Sequence, residues 1–176
     1  LSVRPAGGAI AIPDAAPVPR LSTSLAVEVS RAMDPNDESA GRYVTTRDRD
    51  EAARSIAEFE RLLAPVGRKH FAMWLGPINA ACRNPQSEAE FTTRLAALGP
   101  DCGDLPGACF TVETRRDLYA LTSFFPGAGD IRAVCEPAAN RWRRQLAALR
   151  RIAAGLDAAS RRGPAPAMAP PDPVHV

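Results

Sequence analysis

Arginine is the residue type whose placement in this chain most clearly suggests binding chemistry. Residues 141–162 read RWRRQLAALRRIAAGLDAASRR and hold seven arginines against one aspartate, for a net charge of +6, whereas the rest of the chain sums to −4. Clustered Arg or Lys is what binding to nucleic-acid phosphates needs, although such contacts carry no sequence information. The pattern predicts a nucleic-acid or partner-binding surface made by Arg141, Arg143, Arg144, Arg150 and Arg151.

The same segment has an apolar side. Trp142, Leu146, Leu149, Ala153 and Leu156 step by four, three, four and three residues, which is a heptad-like seam over about two repeats. Three interpretations fit a helix that is apolar on one side and basic beside it. The arginines form a solvated face while the seam packs on the domain, or they bind phosphates, or they dock into the acidic groove of a protein partner.

Groups that could perform catalysis or hold a metal are sparse in the sequence. The four cysteines contain no CxxC pair, and only His70 and His175 could join them, so the spacing predicts no zinc site. We expect Cys82, Cys109 and Cys135 to be reduced core residues. The sequence has no Gly-rich phosphate loop and no nucleophile elbow. We therefore predict a protein that is not an enzyme, with no catalytic residues, no cofactor, no metal and no small-molecule substrate.

The elements that position these residues follow from composition and periodicity. The segments 1–46 and 163–176 are rich in Pro, Ala and Gly and predict a disordered extension and a disordered tail around a helical domain at 47–162. No run approaches 18 apolar residues and no export signal is recognisable, so we expect a cytoplasmic protein without a membrane helix.

Helical periodicity predicts an all-α bundle of about five helices, with a long Arg-rich helix at its C-terminal end. Thr46 or Asp48 is expected to cap the first helix, and Ser87 with Glu90 has capping-box spacing. Pro77 is expected to bend or restart the second helix, and Gly99-Pro100 to stop the third. The predicted helical segments are 48–64, 69–83, 86–98, 107–123 and 128–160. The last is expected to be either one helix kinked at Pro137 or a short helix at 128–136 joined to a long one.

Two adjacent phenylalanines precede a proline in SFFPGAGDI, residues 123–131. The pattern predicts a corner in which Phe124 and Phe125 plug the space between two helices, Pro126 sets the turn and Asp130 lies in the next first turn. Burial of each ring is worth about 1.5–3 kcal/mol, which favours a core corner. A partner contact by Phe124, Phe125 or Trp142 is the alternative.

The order of these features resembles a known kind of protein. A Trp-containing helix (FAMWLGPINAA), a DLP loop, an FFP corner with Asp130-Ile131 and an Arg-rich helix resemble small phage- and prophage-borne proteins of alphaproteobacteria, which are similar to replicative-helicase loaders and inhibitors. The resemblance covers residues 56–150. It implies an all-helical adaptor that holds a hexameric helicase and has no catalysis of its own.

The residues and the resemblance together predict a phage-type DNA-replication adaptor that binds a helicase, DNA or both through the basic helix. The alternative is an assembly protein of a phage or mobile element, which would self-associate through Trp142, Leu146 and Leu149. A DNA-binding regulator with a helix-turn-helix at 115–135 ranks last, because an aromatic-Pro turn is poor for that motif.

Overall fold

The fold is described by a computed structural model, in which residues 17–155 are placed. Six α-helices and one 3₁₀ turn (Gly107–Cys109) make up this range, and its only β-type contact is a bridge between Pro65 and Pro106. The predicted all-α class is confirmed. The helices are α1 Thr23–Met33, α2 Thr46–Leu62, α3 Arg68–Ala81, α4 Glu88–Cys102, α5 Val112–Leu121 and α6 Ala128–Ala153.

Helix α6 is the axis of the bundle. It packs against α2 over most of its length and against α1, α4 and α5 at its sides. The largest side chains of the core lie around it and α3, including Trp74, Phe59 and Phe110, each no more than 1% exposed. Phe110 receives the rings of Phe71 and Trp74 edge-on, with centroids 5.3 and 5.1 Å away. Aromatic pairs in this geometry add stability beyond the area that they bury.

The prediction of a disordered extension over residues 1–46 is wrong where it covers α1. Leu25, Val29 and Ala32 are buried at helical spacing, and the Ser22 hydroxyl accepts a hydrogen bond from the Leu25 amide. Four of the five prolines that motivated the prediction lie at or before Pro19, ahead of this helix, and the fifth, Pro35, follows its end. An amphipathic face offsets the ordering entropy only when a partner covers it, and α6 supplies that cover. Residues 1–16, and the predicted tail at 163–176, lie outside the described residues.

Several helix ends differ from their predicted positions. Thr45, not Thr46 or Asp48, caps α2, and the Asp48 carboxylate accepts hydrogen bonds from the Thr45 amide and hydroxyl. The predicted Ser87–Glu90 capping box of α4 is confirmed. Helix α4 does not stop at Gly99-Pro100, as predicted, but continues to Cys102. The proline removes one backbone hydrogen bond near the end of the helix, and the complete burial of Cys102 offsets that loss.

The segment predicted as one helix over 107–123 is divided. A 3₁₀ turn precedes Thr111, whose side chain caps α5, and α5 ends at Leu121.

Prolines lie inside three helices without dividing them: Pro100 in α4, as described above, Pro77 in α3 and Pro137 in α6. Pro77 in α3 and Pro137 in α6 are both exposed, so each ring lies on the solvent side while the buried side remains continuous. Helix α6 ends at Ala153, earlier than the predicted 160. Gly155 there adopts a left-handed φ of 69° and its amide donates to the Ile152 carbonyl, an arrangement that terminates helices.

Candidate partner-binding surface

The apolar seam of α6 faces the interior of the domain. Trp142, Leu146 and Leu149 are 5%, 8% and 0% exposed, and Ile152 is buried one turn further on. Helix α6 packs mainly against α2 and α1, and Trp142 lines a cavity together with Cys109 and Thr111. Trp142 is therefore a core residue, and the seam has no area left for a second copy of the chain.

Two of the predicted arginines project freely from the opposite face. Arg141 and Arg144 are exposed and lie one helical turn apart, beside the exposed Pro137 and Ala147. Within residues 17–155 neither has a hydrogen bond or an ion pair to another side chain or to the backbone. Two unneutralised arginines whose backbone positions are about 5 Å apart along one helix edge form a local positive charge that a bound anion would neutralise.

Arg143 borders this pair on the next edge of the helix. Its guanidinium donates to the Asn140 side chain at 3.1 Å and reaches the Asp104 carbonyl at 3.5 Å, and the side chain remains exposed. Such long and exposed contacts are weak, so Arg143 can exchange them for a partner's oxygens. We name Arg141, Arg143 and Arg144 the α6 arginine cluster.

The remaining two predicted arginines are engaged within the fold. Arg150 pairs with Glu60 of α2 at 2.7 Å, and Arg151, which is half-buried, donates to the Ala32 carbonyl of α1 at 2.9 Å. The structure therefore brings only three of the five predicted arginines together on a free surface. Sequence spacing could not separate them, because their partners on α1 and α2 lie about ninety or more residues away.

Sequence reasoning missed Arg132, which fixes the loop after α4 to α6. Its guanidinium donates to Glu136 on its own helix, to the Asp104 carboxylate and to the Asp101 carbonyl. The hydrogen bond to Glu136, followed by that to Asp104, raises the pKa of Arg132. The i,i+4 spacing of Arg132 and Glu136 was the only sequence signal for this group.

The FFP corner is partly a core feature. The ring of Phe125 meets that of Phe91 edge-on at 5.9 Å, and Pro126 is buried. The Asp130 carboxylate accepts from the Gly127 amide in the first turn of α6, where we expected it. Phe124, by contrast, is 54% exposed, and Leu121 just before it is 59% exposed. Phe125 is thus the plug, and Phe124 is available for a partner.

The cysteines are buried and unbridged. Burial raises the pKa of Cys82 and raises that of Cys102 to about 11. His70 is half-buried against Phe110, its Nε2 has no hydrogen-bond partner within residues 17–155, and no hydrogen bond in that range joins it to a cysteine. In the described part of the chain, no three His, Cys, Asp or Glu side chains are grouped as metal ligands. Over the same range, no helix has the length and apolarity to cross a bilayer.

Comparisons with protein-family models, with curated proteins and with solved structures return no significant match for this chain.

Proposed function

We propose that this protein is a non-catalytic adaptor of phage-type DNA replication, acting in the cytoplasm. In this proposal the α6 arginine cluster contacts DNA phosphates or an acidic surface of a replicative helicase. Phe124 supplies a second, apolar contact to the protein partner. The resemblance of the Trp helix, the FFP corner and the Arg-rich helix to helicase loaders and inhibitors motivates the choice of partner.

One observation carries the proposal: Arg141 and Arg144 are exposed and unpaired within residues 17–155, although acidic side chains are plentiful in the chain. Arg150 and Arg132 on the same helix have acquired acidic partners at 2.7 Å. Arg141 and Arg144 have acquired none. A row of unneutralised arginines on a rigid 26-residue helix is suited to backbone phosphates, which are also arranged in a row.

The alternative function, self-association through Trp142, Leu146 and Leu149, is not favoured by the packing of the domain. Those side chains are already buried inside the domain. A dimer that used them would first have to open the domain and expose its core. The arginine cluster needs no rearrangement to meet a partner.

The proposal is tested by fluorescence anisotropy of labelled single- and double-stranded DNA with the full chain at several salt concentrations. The variant Arg141→Glu/Arg144→Glu should weaken binding at least tenfold. Removing two arginine–phosphate interactions should also flatten the salt dependence, by about 0.7–0.9 in log–log slope for each phosphate that is no longer neutralised. The matched control is Arg47→Glu/Arg54→Glu, which changes the charge equally on exposed positions of α2.

A hexameric replicative helicase is tested in parallel by co-elution in gel filtration. Loss of the complex with Arg141→Glu/Arg144→Glu, together with weakening by Phe124→Ser, is the expected result. Equal binding of DNA by the cluster variant and the α2 control, with the helicase complex also unchanged, would contradict the proposal. Unchanged circular dichroism spectra for all variants establish that the fold is intact in each comparison.

A further inference from the structure

Cys109 and Cys135 face each other in the core, although 26 residues separate them in the chain. The Cys109 thiol donates to the Cys135 carbonyl at 3.5 Å, and the Cys135 sulfur lies 3.9 Å from the Cys109 carbonyl. The first residue ends the 3₁₀ turn before α5, and the second lies in the second turn of α6. Two reciprocal contacts of this kind hold both backbones and both sulfurs close together.

The two thiols are not chemically equivalent. The interaction with the Cys135 side chain lowers the pKa of Cys109 against the effect of burial, with Arg143 and the Ala139 amide also favouring the thiolate. The interaction with the Cys109 side chain, together with burial, raises the pKa of Cys135. The thiolate is the nucleophilic form of cysteine, and Cys109 is the one of the two that lines a surface cavity, so we take Cys109 as the reactive member and Cys135 as its neighbouring thiol.

A small molecule has a route to Cys109. This residue lines a cavity of about 330 Å³, together with Thr114, Ala138 and Trp142, and Pro17 and Val18 form the other wall. Hydrogen peroxide is far smaller than this volume. Cys82 and Cys102 lack these features, because burial raises the pKa of both thiols and neither lines a described cavity with a second cysteine beside it.

We propose that Cys109 is a site of reversible oxidation by hydrogen peroxide or a small organic peroxide, with Cys135 as the resolving cysteine. The Cys109 thiolate attacks the O–O bond, an S–O bond forms, and hydroxide leaves and is protonated to water, or, from an organic peroxide, an alkoxide leaves and is protonated to the alcohol. The Cys135 thiol then attacks the sulfenic sulfur, the S–S bond forms, the S–O bond breaks and a water molecule leaves. Two thiols are oxidised and one peroxide is reduced, and a dithiol reductant reverses the change by exchange.

The bridge would tie the turn before α5 to α6 and close a loop of 26 residues. Constraining the unfolded chain in this way should raise Tm by about 5–10 °C. Trp142 lines the same cavity as Cys109, so its fluorescence should fall when the disulfide forms. This inference does not depend on the proposed adaptor function.

The test treats the reduced full chain with a small excess of hydrogen peroxide and follows intact mass and non-reducing peptide maps. We expect the mass of two hydrogen atoms to be lost, a Cys109–Cys135 peptide to appear, and dithiothreitol to restore the starting mass. In Cys135→Ser, dimedone should label Cys109. Cys82→Ser and Cys102→Ser should form the bridge at the wild-type rate.

Three results would overturn the proposal. They are a bridge from Cys135 to Cys102, dimedone labelling of Cys82 before Cys109, and no bridge at peroxide concentrations that oxidise free methionine added to the same solution. The peptide map is made on the wild-type chain, so the outcome remains decisive even if the Cys135→Ser variant fails to fold.

Discussion

Arg150 on α6 pairs with Glu60 on α2 at 2.7 Å, whereas Arg151, the next residue, donates to the Ala32 carbonyl of α1 at 2.9 Å. Adjacent arginines thus fasten α6 to two different helices. The Arg150 and Glu60 side chains are 58% and 50% exposed, and Arg151 is half-buried at the C-terminal end of α1, where the helix dipole favours a cation. The two contacts should therefore contribute different amounts to the free energy of unfolding.

Replacing Arg150 by Ala should lower the free energy of unfolding by less than about 1 kcal/mol, because exposed ion pairs are screened by water. Replacing Arg151 by Ala should cost about 1.5–3 kcal/mol, since it removes a charged hydrogen bond to a buried helix end. Urea denaturation of both variants measures the difference. An equal effect of the two changes would contradict this account of how α6 is attached.

Helix α1 should be an integral part of the domain. Leu25 is fully buried and Val27, on the same helix, is 45% exposed, so they form a matched pair. Leu25→Ala should cost about 2–5 kcal/mol by leaving a cavity, whereas Val27→Ala should change stability by no more than about 0.5 kcal/mol. Urea unfolding followed by circular dichroism measures both. If the Leu25 variant were as stable as the Val27 variant, α1 would not pack as described.

The two tryptophans offer a test of one buried hydrogen bond. Trp74 Nε1 donates to the Thr111 carbonyl at 2.7 Å, whereas the buried Trp142 Nε1 has no partner within residues 17–155. Trp74→Phe should leave the Thr111 carbonyl unpaired and cost about 1–3 kcal/mol beyond the loss of packing. Trp142→Phe loses similar area but no hydrogen bond, and should be the milder change in thermal and urea unfolding.

Asp48 should contribute to acid stability. Hydrogen bonds from the Thr45 side chain and backbone lower the pKa of this carboxyl from its ordinary 3.8. Because the pKa is lower in the folded state, the ionised carboxylate stabilises the fold at pH values above the ordinary pKa of 3.8. This stabilisation is lost as the pH falls below 3.8 towards the pKa of the folded state. Asp48→Asn should therefore destabilise the protein near neutral pH and flatten the acid limb of its stability profile.

The matched control for Asp48 is Asp50→Asn, an exposed change in the first turns of the same helix. Unfolding in urea from about pH 2.5 to 7 distinguishes the two, since that range spans the ordinary carboxyl pKa. If the stability of the Asp48 variant fell at low pH as steeply as that of the wild type, the Asp48 carboxyl would not contribute to the pH dependence of folding.

Local signals in the sequence determined the helical class and most helix positions. The spacing of Ala52 and Phe59, the Ser87–Glu90 box and the Asp130 contact at the FFP corner depend on residues within one or two turns, so they are readable without a fold. The apolar seam of α6 was readable in the same way. Its periodicity also indicated that basic residues lie beside it.

Tertiary structure decided what those surfaces do. The packing of the domain around α6 buries Trp142, and only the placement of α2 and α1 gives Arg150 and Arg151 their partners, which are distant in the chain. The same packing turned a segment beside a Pro-rich stretch into α1 and brought Cys109 to Cys135. Helical periodicity specifies which face of a helix is apolar, but it carries no information about which neighbour covers that face.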